Sequence, residues 1–180
     1  MKPKSLEDMK KIKVKVLTEG CTPVINDKGD WIDLRAAEDV NLKAPWAGLL
    51  NRREQETRKV NFESHLVPLG VAMELPKGYE AHIAMRSSSY KNFGIIMANH
   101  IGIVDNTYNG DGDQWFANVI ALRDTSIKKG ERICQFRIVL SQKATFWQRV
   151  KHLFTGGVKI ELVDSLGNPN RGGHGTSGTA

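Results

Sequence analysis

The stretch LGVAMELPKGYEAHIAM, residues 69–85, decides the fold class. Its first half sets Leu69, Val71, Met73 and Leu75 on one face, and its second half does the same with Tyr79, Ala81, Ile83 and Met85. A period of two marks a strand with one face buried; a helix would repeat its apolar residues every three or four positions. Pro76-Lys77-Gly78 between the halves is a turn signal, so the segment predicts a β-hairpin. The same period recurs outward along the chain. IKVKVL (12–17) alternates Ile12, Val14 and Val16 against two lysines, and FGIIM (93–97), WFANVIAL (115–122), RICQFRIV (132–139) and VKIELV (158–163) are further strands. Many short strands with turn residues between them predict an all-β sandwich, barrel or jelly roll.

The 180 residues suit one well-buried core, and 40% hydrophobic with 26% charged residues excludes global disorder. A formal charge of +6 is compatible with nucleic acid, a polyphosphate or simple solubility, and charge alone does not choose among them. No apolar run reaches the length of a membrane helix, and MKPKSLEDMKK is not a secretory signal, which predicts a cytoplasmic, intracellular protein. Cys21 and Cys134 stand far apart and outside any C-x-x-C pair, so free thiols in a reducing compartment are expected. The five histidines have no ligand spacing, which argues against a metal cage built by the protein.

One β domain is expected over residues 1–166, with insertions near 44–64 and 141–157 and a lengthened loop at Asp111-Gly112-Asp113-Gln114. Within the second insertion, KATFWQRVKHLF (143–154) predicts a short helix. Phe146, Val150 and Leu153 or Phe154 are expected inward, with Arg149 and Lys151 outward. Residues 167–180, GNPNRGGHGTSGTA, carry five glycines and almost no apolar content, which predicts a mobile arm.

Four stretches carry possible chemistry. GIVDNTYNGD (102–111) gathers an acid, a phenol and glycines that permit tight bends, although such strings also make ordinary turns. AMRSSSYK (84–91) follows a strand with Arg86 and three hydroxyls; it is either a polar strand end or a polyphosphate cradle. In KKGERICQF (128–136), Gln135 is either an outward residue of an edge strand or an amide aimed at a ligand. RGGHGTSG (171–178) is either a solubilising tail or a flap that closes over phosphates.

In this order the stretches resemble the five motifs of the trimeric deoxyuridine triphosphatases: WIDLRA (31–36), MRSSS (85–89), NHIGIVDNTYNGD (99–111), GERICQF (130–136) and RGGHGTSG (171–178). VPLGVAMELPKGYEAHIAMRSS (67–88) also follows that family's run into its second motif, and the likeness covers most of residues 12–140 plus the tail. The resemblance implies a jelly-roll-like β fold, a homotrimer with shared active sites, and hydrolysis of dUTP to dUMP and pyrophosphate. By the same resemblance Asp105 activates the water that attacks the α-phosphorus, and Tyr108 stacks under the deoxyribose and excludes a 2′-hydroxyl. Gly102 would let the backbone bend around the nucleoside, and the main chain of Ile103, Val104 and Asp105, with Asn99, would read the uracil edge. Arg86, Ser87, Ser88 and Gln135 would contact the phosphates. Arg171, Gly175, Thr176 and Ser177 would close over them from a neighbouring chain, with His174 stacking on uracil. The implied cofactor is Mg²⁺, held mainly by phosphate oxygens and water, with Asp33 acting on it at most through water.

The chain departs from the family pattern at His174, where phenylalanine is usual, at Asp30-Trp31-Ile32 before Asp33, and at Met85, where proline is common. Two other readings stand beside this one. A dCTP deaminase, or a bifunctional deaminase, shares the fold but needs a catalytic glutamate on the strand after the third motif, and WFANVIALRD supplies none. A non-catalytic regulatory protein on the same scaffold would use the insertions for a partner. Membrane binding is not expected, for want of a long apolar run, and neither is nucleic-acid binding, since no aromatic platform accompanies the positive charge.

Overall fold

The computed structural model describes residues 10–27, 29–47 and 60–173. It is built of short strands around one apolar core, as the period of two predicts, and the core gathers Ile12, Leu34, Leu69, Met73, Ile83, Trp115 and Phe136. β1 (Lys10–Val16) lies between β15 (Val158–Leu162), which runs parallel to it, and β8 (Val71–Glu74), which runs antiparallel. Ile12 and Val14 point into the core, while Lys11 and Lys13 pair with Glu161 and Glu74 on the neighbouring strands. A five-stranded sheet, in the order β11-β9-β14-β3-β2, positions most of the site residues. Its members are β2 (Val24–Ile25), β3 (Ile32–Arg35), β9 (Tyr79–Met85), β11 (Gly102–Val104) and β14 (Arg132–Leu140). A third sheet holds β7 (Ser64–Pro68), β10 (Ile95–Met97) and β12 (Phe116–Ala121). Two small ribbons pair β4 (Val40–Leu42) with β13 (Thr125–Ile127) and β5 (Trp46–Ala47) with β6 (Val60–Asn61), the latter bracketing part of the 44–64 insertion.

The segment that fixes the fold class does not form the predicted hairpin. The Tyr79 N–H does close the turn onto the Pro76 carbonyl at 3.1 Å. Yet β8 pairs with β1, while β9 pairs with β11 and β14, so the turn carries the chain from one sheet to another. Alternation dictates which side chains face inward, but it says nothing about lateral partners. Gly78 sits at φ +85° beneath the second insertion, where a Cβ would lie 2.7 Å from the Gln148 side chain. Residue 93 also belongs elsewhere: α1 (Ser89–Phe93) is a short helix ending at left-handed Gly94, and the strand begins only at Ile95.

The predicted helix exists as α2 (Phe146–Phe154), started by a Thr145–Gln148 capping box. Its facing matches the expectation only in part: Arg149 and Lys151 are exposed and Val150 is half-buried, but the larger apolar side chains are not covered. Phe146, Leu153 and Phe154 are 70–75% exposed, as is Trp147, and none of the helix is buried. The helix is held instead through Gln148 against Gly78, through His152 Nδ1 at 2.8 Å from the Tyr79 hydroxyl, and through Arg149 Nε, which donates to the Ala144 carbonyl. Among the described residues no helix is long and apolar enough to cross a membrane. Cys21 and Cys134 are both buried free thiols, and burial pushes each above its ordinary pKa, so neither is poised as a nucleophile.

Candidate active site

The predicted residues fall into two groups, one along β11 and the turn after it, the other around Arg86 where β9 ends. In the first, the turn after β11 folds Tyr108 back onto the acid, its N–H donating to the Asp105 carbonyl at 3.1 Å. A cleft of about 320 Å³ opens there, lined by Asn99, Gly102, Ile103, Val104, Asp105, Tyr108 and Arg171, with Trp115 and Phe116 from β12 and the residue before it. β11 is the last strand of its sheet, so among the described residues its outer backbone edge has no strand partner. Unpaired N–H and C=O groups along such an edge can bond a planar heterocycle as they would another strand. The Tyr108 hydroxyl donates to the Gln114 carbonyl at 2.8 Å, which fixes the ring against the cleft. Burial, with a smaller contribution from the Asp113 charge, raises the phenol above its ordinary pKa, so it stays a neutral wall and donor.

In the second group, Arg86 leaves β9 beside β3 and β14. A bulge between Arg132 and Cys134 re-aims the Ile133 carbonyl, which accepts the Arg86 N–H at 3.4 Å and the Ser89 hydroxyl. Asp33, 6% exposed, accepts from Arg86 Nε at 2.8 Å through one oxygen and from Arg132 at 2.9 Å through the other. Gln135 lies in register with Asp33 on one side and Ala84 on the other, which seats it on the same face. Ser87 is exposed and Ser88 half-buried at the rim. The geometry makes Asp33 the residue that orients two guanidinium groups. Both its oxygens are engaged, and this argues against a carboxylate turned toward a metal. Among the described residues no three His, Cys, Asp or Glu side chains converge as metal ligands.

The two groups do not meet within one chain. Val104 is in register with Ala81, so Asp105 follows at the level of Glu80, six residues before Arg86. At about 3.3 Å per strand residue the acid and Arg86 stand roughly 20 Å apart along the strand. The arm is described as far as Gly173. Residues 167–173 pack on their own chain: Arg171 reaches Asp105 at 3.0 Å, Gly112 donates to Asn170 Oδ1 at 2.7 Å, and Gly173 lies against the Tyr108 ring. Gly110 makes this approach possible, because a Cβ there would meet Asn170 Cα at 2.5 Å. Arg171 was expected to serve a neighbouring chain, and here it closes on the pocket of its own. His174, Gly175, Thr176 and Ser177 lie outside the described residues.

Sequence reasoning missed two residues, Arg132 and Asp113. Arg132 was hidden inside a strand pattern. Asp113 was taken for loop lengthening, yet it is 1% exposed and accepts backbone N–H groups from Gly110, Arg171 and Gly172. Gly110 and Gly112 just before it were the one available signal, since they leave neighbouring amides open to a carboxylate.

A β fold with an edge-strand cleft, a nearby acid and a separate cradle of paired arginines defines a nucleotide-handling class of protein. The dUTPase family pattern matches residues 46–172. The chain belongs to the dUTPase family. It is 50% identical over 169 residues to the SPbeta prophage-derived deoxyuridine 5'-triphosphate nucleotidohydrolase YosS of Bacillus subtilis (strain 168), covering 93% of this chain and 98% of that protein. Among solved structures, the dUTPase from Streptococcus mutans superposes with a TM-score of 0.58 at 20% identity, over 74% of this chain and 98% of that one. A dUTPase from phage phi11 of S. aureus, described with a structural Mg(II) ion, gives a TM-score of 0.56 at 18% identity, over 75% of this chain and 94% of that one. The all-β, jelly-roll-like fold expected from the resemblance is that of these neighbours.

Proposed function

We propose that the chain hydrolyses dUTP to dUMP and pyrophosphate, and that Asp105 is the base that activates the attacking water. The observation that carries the reading is the cleft itself, where an acid, a fixed tyrosine ring and an unpaired strand edge line one cavity of nucleoside size. The half-identical relative is named for the same activity. The backbone of Ile103 to Asp105, with Asn99, pairs with the uracil edge; a cytosine would leave those groups mismatched, at a cost of about 1–3 kcal/mol for each buried group. Tyr108 lies under the sugar and leaves no room for a 2′-hydroxyl. β12 carries no glutamate, and this disfavours deamination.

Arg86, Ser87, Ser88 and Gln135 bind the phosphates, and the separation along β9 supports a cradle that comes from a second copy of the chain. A homotrimer with shared sites satisfies that requirement, because a closed ring gives every pocket one cradle. Residues 1–166 act as one β domain in this arrangement, and 167–180 as the arm that completes the site with Arg171 and His174 to Ser177. The guanidinium of Arg171, paired with Asp105 in the free chain, is available to an incoming triphosphate. The donors at the cradle are cationic or neutral, so they suit a phosphate-borne Mg²⁺ held by phosphate oxygens and water and not a protein cage. When bound, that ion neutralises phosphate charge; the chain's own residues position the nucleotide and the water. The buried free thiols and the nucleotide substrate suit a cytoplasmic setting.

Pyrophosphate release from dUTP, dCTP, dTTP and UTP, measured with the native chain and with Asp105→Asn, tests the reading. Turnover of dUTP alone, lost in the variant, is the expected result. Ammonia release from dCTP would assign the deaminase instead, and no turnover of any of the four would leave a regulatory protein.

A further inference from the structure

We propose that Asp113 is the positioning residue that seats the C-terminal arm on the pocket, so that Arg171 stands at Asp105. This rests on the dUTP-hydrolysing reading of the site. Three consecutive residues of the loop grip the arm. The Leu166 N–H and the Ser165 hydroxyl donate to the two oxygens of Asp111, at 2.6 and 2.7 Å. Gly112 donates its N–H to Asn170 Oδ1. Asp113 then takes the next two peptide groups: the Arg171 N–H donates to Oδ2 at 2.9 Å and to Oδ1 at 3.1 Å, and the Gly172 N–H donates to Oδ1 at 3.1 Å.

The same carboxylate holds the loop. Its Oδ2 also accepts the Gly110 N–H at 2.9 Å, two residues from the Tyr108 ring. One buried acid therefore ties the sugar-stacking loop and the arm into a single unit. Burial by itself would raise the carboxyl; the N–H donations from Arg171, Gly110, Gly172 and Asn109 outweigh it and hold the group below its ordinary pKa. A polar group this buried is costly unless its acceptors are filled, and here the arm supplies two of the donors. The grip is on main chain alone, so it fixes where Arg171 sits and leaves the guanidinium free for charge pairing. An acid that served only the Tyr108 turn would need no donors from residues 171 and 172.

Two measurements on Asp113→Asn decide the matter. Asparagine offers one acceptor in place of two, so kcat/KM for dUTP is expected to fall about tenfold to a hundredfold, chiefly in kcat, as the arginine loses its place. The loss is not expected to add to that of ending the chain after Asn170: the doubly altered chain should be no slower than the truncated one. Equal proportional losses in the full and truncated chains would overturn the proposal, as would an unchanged rate in the full chain. Amide hydrogen exchange gives a reading that does not depend on turnover. Residues 171–173 should lose protection in Asp113→Asn while β11 and β12 keep theirs. Opening of the 108–112 loop with the protection of residues 171–173 unchanged would assign Asp113 to the loop alone and overturn the proposal. If the variant does not fold, the truncated chain with native Asp113 decides: unchanged protection over 108–112 supports the latch, and its collapse refutes it. A native chain that turns over no dUTP would sink the functional reading, while the exchange result would still stand or fall alone.

Discussion

The two groups of site residues are built on different principles. At the Arg86 end the polar groups are set by the middle of a sheet: β9, β14 and β3 lie side by side, and Asp33 is enclosed between Arg86 and Arg132. At the Asp105 end β11 is an edge strand, the acid is more than half exposed, and an arm from more than sixty residues later supplies its ion-pair partner. One end is a cradle assembled before any ligand arrives. The other is a cleft completed by a segment from far along the chain. The contrast suits chemistry in which phosphate charge must be met by fixed donors, while a nucleoside must enter and depart.

The comparison can be broken in several places. The largest effect is expected at Asp105→Asn, which should lower kcat by about a hundredfold to ten-thousandfold with little change in KM, read by steady-state kinetics. Arg86→Ala should act in the opposite sense: KM rises at least about tenfold through lost phosphate binding, and unchanged kinetics would remove Arg86 from the site. Asp33→Asn should cost stability, by about 2 kcal/mol in urea unfolding, because two guanidinium groups lose their shared carboxylate; their partial exposure to water moderates the loss. At the cleft end pH provides the probe. The depressed pKa of Asp113 means that its contribution is complete above the unfolded value of about 3.9 and is lost as pH falls through the lower folded value. Arm protection should therefore persist at pH 5 and fade in more acidic solution, and Asp113→Asn should flatten that dependence. The smallest effect belongs to α2, where Trp147→Ser should change stability by less than about 0.5 kcal/mol because its side chain lies in solvent.

Local pattern was legible where local physics decides. β14 was read nearly residue for residue because its alternation continues through Phe136, and the turn at Asp105 to Tyr108 declared itself through its glycines. What failed were the relations between distant segments. β8 and β9 share a turn but not a sheet, since period two carries no information about partners. Phe146, Leu153 and Phe154 of α2 stay outside because its capping box and its contacts through Gln148 and His152 hold a helix that no core covers. Asp113 was passed over because the amides it holds lie 58 and 59 residues away, where no window along the sequence could join them.

The central claim is that Asp105 and Arg86 act on one nucleotide from different copies of the chain. Mixing Asp105→Asn and Arg86→Ala chains, with exchange of subunits and dUTP well below KM so that each alone is slow, tests it most directly. For shared sites, random assembly at equal amounts should restore about a quarter of native activity, the fraction of sites that draw both residues intact. No recovery in assemblies shown to contain both variants would place the acid and the cradle of each site in the same chain and contradict the account.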